Sequence, residues 1–148
     1  MIALTEITED NFYQVIHLEL TDEQQSFVAP NVRSLAECYL YRNNNDVFPY
    51  AICANGGVVG FALLDVDDEE QSITIWRIMI DKKHQGKGYG RQAMEKIEQR
   101  ICLENKYTHL YTSYSLKNVQ AKGLYESLGY EAQGLNDHNE MVVLKKLM

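Results

Sequence analysis

Ile78-Met79-Ile80-Asp81-Lys82-Lys83-His84-Gln85-Gly86-Lys87-Gly88-Tyr89-Gly90-Arg91 passes from strand chemistry to helix chemistry through a glycine-rich loop. Glycines let successive main-chain N–H groups converge on one point, and a helix N-terminus adds about half a positive charge there. The combination suits a pyrophosphate. No Ser or Thr follows a Gly-Lys pair, as a P-loop requires, and Gly86, Gly88 and Arg91 do not fit G-x-G-x-x-G. A glycine-rich loop can also be a plain strand-to-helix connection.

Working outward, apolar residues Ala93, Met94, Ile97 and Ile101 recur at helical spacing, which predicts a helix from about Gly88 to Glu104. Upstream, Tyr50–Ala54, the turn Asn55-Gly56-Gly57 and Val58–Val66 read as a hairpin, because such turns need positive φ. An acidic loop, Asp67–Glu70, leads to a third consecutive strand, Ser72–Ile80. Downstream come a strand over Thr108–Ser113, a helix over Asn118–Leu128 closed by Gly129, and strands over Tyr130–Gln133 and Glu140–Lys145. Two helices are expected first. Thr8 can cap one carrying Phe12, Val15, Ile16 and Leu20, and Ser34 can cap another carrying Leu35, Cys38, Tyr39 and Arg42, with Asp22–Val32 as an irregular loop between them. The order ααβββαβαββ describes a single α/β (α+β) domain over residues 1–148, a mixed sheet flanked by helices.

Composition sets the outer bounds. A chain of 148 residues with 45% hydrophobic and 24% charged residues is ordinary globular material. Its net charge of −7 is the wrong sign for neutralising nucleic-acid phosphates. The apolar run Val58–Leu64, interrupted by Gly60, is far short of the ~20 residues of a membrane span, and Met1–Asp10 lacks a basic leader region. Cys38, Cys53 and Cys102 are odd in number and far apart, so reduced, mostly buried thiols in a cytoplasmic protein are expected. None of His17, His84, His109 and His138 stands at metal-ligand spacing with another, and no metal is expected.

Gln85-Gly86-Lys87-Gly88-Tyr89-Gly90 resembles the Q/R-x-x-G-x-G/A signature of the GNAT family of N-acetyltransferases. Asn118, Ala121, Leu124, Tyr125, Leu128, Gly129 and Tyr130 resemble a second helix motif of that family, in the expected order. Phe27-Val28-Ala29-Pro30-Asn31, Ser34-Leu35-Ala36-Glu37 and Ile75-Trp76-Arg77-Ile78-Met79-Ile80-Asp81 are similar to bacterial spermine/spermidine acetyltransferases. The resemblance implies a mostly antiparallel sheet and acetyl-coenzyme A as cosubstrate. It further implies that Ile78, Met79 and Ile80 pair with the pantetheine arm. The N–H groups of Gln85, Gly86, Lys87, Gly88, Tyr89, Gly90 and Arg91 would take the pyrophosphate. Asn118 would bond the pantetheine, its plainer reading being a helix N-cap.

Tyr125 is the catalytic candidate in this resemblance, as the acid that protonates the departing thiolate. A phenol near pH 10 stays protonated while a thiol titrates near ~8.5. On residues alone it reads first as a core tyrosine on the face of Ala121, Leu124 and Leu128, and the family motif is what favours the catalytic role. No base is assigned, because Trp76 stands where some relatives carry a strand carboxylate. Glu37, Glu140, Glu69, Glu70 and a water chain are the candidates, and Arg77 is not, since guanidinium keeps its proton. Residues Asp65, Asp67, Asp68, Glu69 and Glu70 could steer a polycation or simply be a solvated loop. The expectation is transfer of acetyl to a primary amine, foremost a polyamine, with no nucleic-acid or membrane partner and a homodimer left open. Another amine, such as a protein N-terminus or an aminoglycoside, and a coenzyme A-binding sensor without turnover are the alternatives.

Overall fold

The computed structural model describes residues 1–147. One seven-stranded sheet carries the chain, with strands in the order β1-β2-β3-β4-β5-β7-β6. These are β1 Ile2–Glu6, β2 Val47–Ala54, β3 Gly57–Asp67, β4 Ser72–Ile80, β5 His109–Ser115, β6 Glu131–Leu135 and β7 Glu140–Lys146. Helices α1 Phe12–Ile16, α2 Asn31–Leu40, α3 Tyr89–Glu104 and α4 Val119–Ser127 complete it. All neighbouring strands run antiparallel except β4 and β5.

Strand β3 shows why the sheet sits in the middle. Its run Val58–Leu64 is apolar without alternation because both faces are covered. Ala62 and Leu64 join the core under α3 and α4, with Ile75, Met94, Ile97 and Leu110. Phe61 and Leu63 face the other way, into the layer of Val15, Leu35 and Trp76 beneath α1 and α2. The hairpin β2–β3 turns on Asn55 and Gly56, at φ 54° and 82°, the left-handed pair that a two-residue loop needs. At the other end of α4, Gly129 takes φ 92°, and Gly129 N–H and Tyr130 N–H donate to Glu126 O and Tyr125 O, a Schellman closure.

Three expectations are corrected. The chain begins with a strand, β1, paired to β2 from Ile2↔Ala54 to Glu6↔Tyr50, so the order is βααβββαβαββ. Its five residues bury only Ile2, too little alternation to announce a strand. Helix α1 is short and is preceded by Asn11 rather than Thr8, whose carbonyl accepts from Phe12 N–H instead. Leu18 and Leu20 leave the helix because the buried carboxylate of Asp81 captures Glu19 N–H at 2.7 Å. Helix α2 starts at Asn31, directly behind Pro30, and Ser34 lies within it, fully buried and accepting from Arg77 Nη1 at 3.0 Å. A tertiary partner has taken the hydroxyl that local chemistry assigned to a cap. The three cysteines are free, Cys38 and Cys53 half-buried and Cys102 exposed.

Candidate active site

Strands β4 and β5 run together only from Ser72↔His109 to Ile75↔Thr112 and then part. The parting coincides with a bulge: Leu64 faces Ile75 and Leu63 faces Arg77, which leaves Trp76 as the extra residue. A bulge adds local twist, and here it turns the end of β4 away from its parallel neighbour. Asp81 N–H donates to Val59 O on β3 at 2.8 Å. Alternation along an antiparallel pair then directs the backbone of Met79 to β3 and that of Ile78 and Ile80 into the gap. The main chain of Met79 is thus turned to β3, while its side chain packs in the layer under α1 and α2 and the residue also lines the cleft described next.

The gap leads into a cleft of about 230 Å³ floored by Ile78 and Ile80 and ended by the glycine-rich loop. Gly86 and Gly88 hold φ 79° and 81°, which side chains rarely adopt, and a Cβ on Gly86 would meet nothing within 4 Å. In α3 the first helical bond runs from Gln92 N–H to Gly88 O, so the N–H groups of Tyr89, Gly90 and Arg91 have no helical carbonyl to serve. An open concavity at the positive end of a sixteen-residue helix fits a pyrophosphate. Lys87 and Arg91 are exposed and do not line the cleft; Arg91 instead donates to Ser127 Oγ on α4 at 2.5 Å. His84 lines it.

Gln85 does something sequence reasoning did not foresee. Its Nε2 donates to Ile80 O at 3.0 Å and to Gln24 Oε1 at 2.9 Å, closing the carbonyl of the last strand residue. Asp81 completes the junction by accepting Lys83 N–H at 3.2 Å as well as Glu19 N–H. The segment after α1, carrying Leu20, Phe27 and Val28 over the cleft, is thus tied to the loop that follows β4.

A second cleft, about 560 Å³, lies on the far side of the gap, among Trp76, Arg77, Tyr111, Ser113, Tyr114, His138 and Glu140. Tyr125 lines both clefts. Helix α4 holds its ring between Tyr114 and Tyr130, with centroids 6.0 and 5.6 Å away. Burial pushes its phenol up from the usual range, against a smaller opposing effect of the Thr112 hydroxyl. The residue is a core side chain that also lines both clefts. Asn118 is likewise a cap, accepting Ala121 N–H at 3.2 Å, and a lining residue of both clefts.

The base candidates separate. Glu37 is engaged by the Arg77 guanidinium, which also stacks on Trp76 at 4.5 Å, and by Arg33 at 3.6 Å. Glu69 and Glu70 belong to the loop at the start of β4, whose nine residues extend about 30 Å toward the cleft end. In that loop Asp68 accepts from Tyr107 at 2.8 Å and pairs with Lys106, which hold its carboxyl below the usual range. Glu140 alone of the candidates lines the second cleft.

The comparisons agree with this architecture. Residues 4–130 match the model of the acetyltransferase (GNAT) family. The chain is 27% identical over 156 residues, covering 99% of both, to the spermine/spermidine N(1)-acetyltransferase of Bacillus subtilis (strain 168). It superposes on spermidine N-acetyltransferase from Vibrio cholerae, solved with coenzyme A and spermine, with a TM-score of 0.78 at 16% identity over 99% of this chain and 95% of that one. An aminoglycoside acetyltransferase bound to coenzyme A gives 0.79 at 17% identity over the same shares. A sheet parted at Trp76, a glycine cradle opening α3 and a family match over most of the sequence lead to one conclusion: the chain belongs to the acetyltransferase (GNAT) family.

Proposed function

We propose that this acetyltransferase carries the acetyl group of acetyl-coenzyme A directly to a primary amine, with a polyamine of the spermine or spermidine class as acceptor. The observation that carries the reading is the place of Tyr125, buried at the junction of two clefts with a phenol that burial keeps protonated. Support for the acceptor class comes from the whole-length similarity to a spermine/spermidine acetyltransferase and from the net charge of −7.

Acetyl-coenzyme A, when bound, supplies an activated thioester. The N–H groups of Tyr89, Gly90 and Arg91 would hold its pyrophosphate, the Ile78 and Ile80 backbone and the Asn118 amide its pantetheine. An amine that titrates near ~10.4 must lose a proton to attack, at roughly 4.6 kcal/mol at pH 7. As the N–C bond forms and the C–S bond breaks, the second amine proton would pass to solvent, and the Tyr125 phenol would donate its own to sulfur and recover one from solvent, leaving the amide and the free thiol.

Thiol release from acetyl-coenzyme A with spermine, spermidine, kanamycin and a peptide amine tests the assignment. The highest kcat/KM is expected with a polyamine. A higher value with kanamycin or the peptide would replace the acceptor, and coenzyme A binding without turnover of any amine would return the protein to the sensor alternative.

A further inference from the structure

We infer that Glu140 receives the ammonium group of the acceptor and that the second cleft is electrically polarised, so that a cationic acceptor lies along β7. The inference rests on the amine-acetylation reading above and adds the residue that recognises the amine.

The two walls of this cleft differ in charge. On the α2 and β4 side stand Arg33 and Arg77, and the single carboxylate of Glu37 serves both guanidinium groups. One positive charge is left over on that wall. On the β5 and β7 side of the cleft, Glu140 begins β7 and pairs across to Ser115 of β5, and no Lys or Arg among the described residues pairs with its carboxylate. Its partners are neutral. Ser113 Oγ donates to Oε1 at 3.3 Å and Asn136 Nδ2 to the same oxygen at 3.4 Å. Asn136 also accepts Glu140 N–H at 3.0 Å and His138 N–H at 2.9 Å, which fixes the turn before β7.

Every described bond to the carboxylate falls on Oε1, so Oε2 remains for a ligand that donates. An alkylammonium brings three donors and a charge of the right sign. Tyr111 and Tyr114 of β5 line the same cleft and supply aromatic surface for the cation and its methylenes. Tyr114 in turn packs on Tyr125, which connects the ammonium site to the proton donor.

Glu140→Gln keeps both bonds to Oε1 and removes only the charge. With the best acceptor of the panel above, the acceptor KM is expected to rise about tenfold, the loss of one charge-assisted bond, while the KM for acetyl-coenzyme A stays unchanged. Arg33→Gln, on the α2 and β4 side, is expected to lower the acceptor KM. A tenfold rise with kanamycin, and none of the polyamines turned over, would sink the polyamine assignment and keep Glu140 in its role. An unchanged acceptor KM in Glu140→Gln overturns the inference.

Discussion

Gln24 and Gln85, 61 residues apart, exchange side-chain hydrogen bonds in both directions, Gln24 Nε2 to Gln85 Oε1 at 3.1 Å and Gln85 Nε2 to Gln24 Oε1 at 2.9 Å. With its bond to Ile80 O, the Gln85 amide uses both of its protons within the protein. The motif glutamine thus closes the end of β4 and fastens the segment that roofs the first cleft, and its side-chain amide has no proton left for a ligand. Gln24→Ala removes both of these bonds and the one that Gln24 Oε1 accepts from Thr21 N–H at 3.3 Å, all part-buried and neutral, for a loss of about 1–3 kcal/mol locally. Faster amide exchange over residues 18–30, with KM values for donor and acceptor raised several-fold, is expected. Unchanged exchange would show that the Asp81 contacts hold the segment alone.

Replacement of Gly88 by Val is expected to abolish measurable coenzyme A binding by calorimetry. The residue sits at φ 81°, where a side chain costs about 1–2 kcal/mol, and a branched one would also fill the concavity before α3. Gly88→Ala pays the backbone cost without filling the concavity, and should bind more weakly than wild type but detectably. Equal affinity in the two variants would show that backbone strain, and not the space, governs binding.

Tyr125→Phe keeps the ring against Tyr114 and Tyr130 and deletes the hydroxyl. Coenzyme A affinity should persist, and single-turnover acetyl transfer at saturating acceptor should fall by ~10²–10⁴. A wild-type rate would leave protonation of the thiolate to water.

The phenols of Tyr107, Tyr125 and Tyr130 are all pushed up, mainly by burial, and that of Tyr130 also by Glu98, to which it donates at 2.8 Å. Above about pH 10 the unfolded chain gives up these protons first, so stability present below that pH is lost as pH rises toward the folded values. Between pH 9 and pH 11, where the unfolded phenols titrate, the expected loss is about 1.4 kcal/mol in total for each of the well-buried Tyr125 and Tyr130. Urea midpoints between pH 9 and pH 11 would measure it, and Tyr130→Phe should remove one such contribution. A slope identical to wild type in that variant would contradict the assignment.

Gly60→Ala probes the strand pair that carries the cleft floor. Its Cβ would come 2.4 Å from Met79 O, main chain that cannot step aside. A loss of roughly 1–3 kcal/mol is expected, read as a lower urea midpoint.

What the amino-acid sequence determined by itself was local chemistry repeated in register: the Asn55-Gly56 turn, the helical face of Ala93 to Ile101, the glycine cradle ahead of Tyr89 and the closure of α4 at Gly129. Positive φ and a four-residue period depend on neighbours along the chain, so they can be read there. Only the tertiary structure decided the rest. It left Trp76 as a bulge, buried Ser34 against Arg77, turned Gln85 toward Gln24, sent the Met79 backbone to β3 and brought Glu140 and Arg33 into one cleft. Each of these depends on a partner tens of residues away, and a polar side chain carries no local mark of which distant group will satisfy it once burial makes an unpaired one costly.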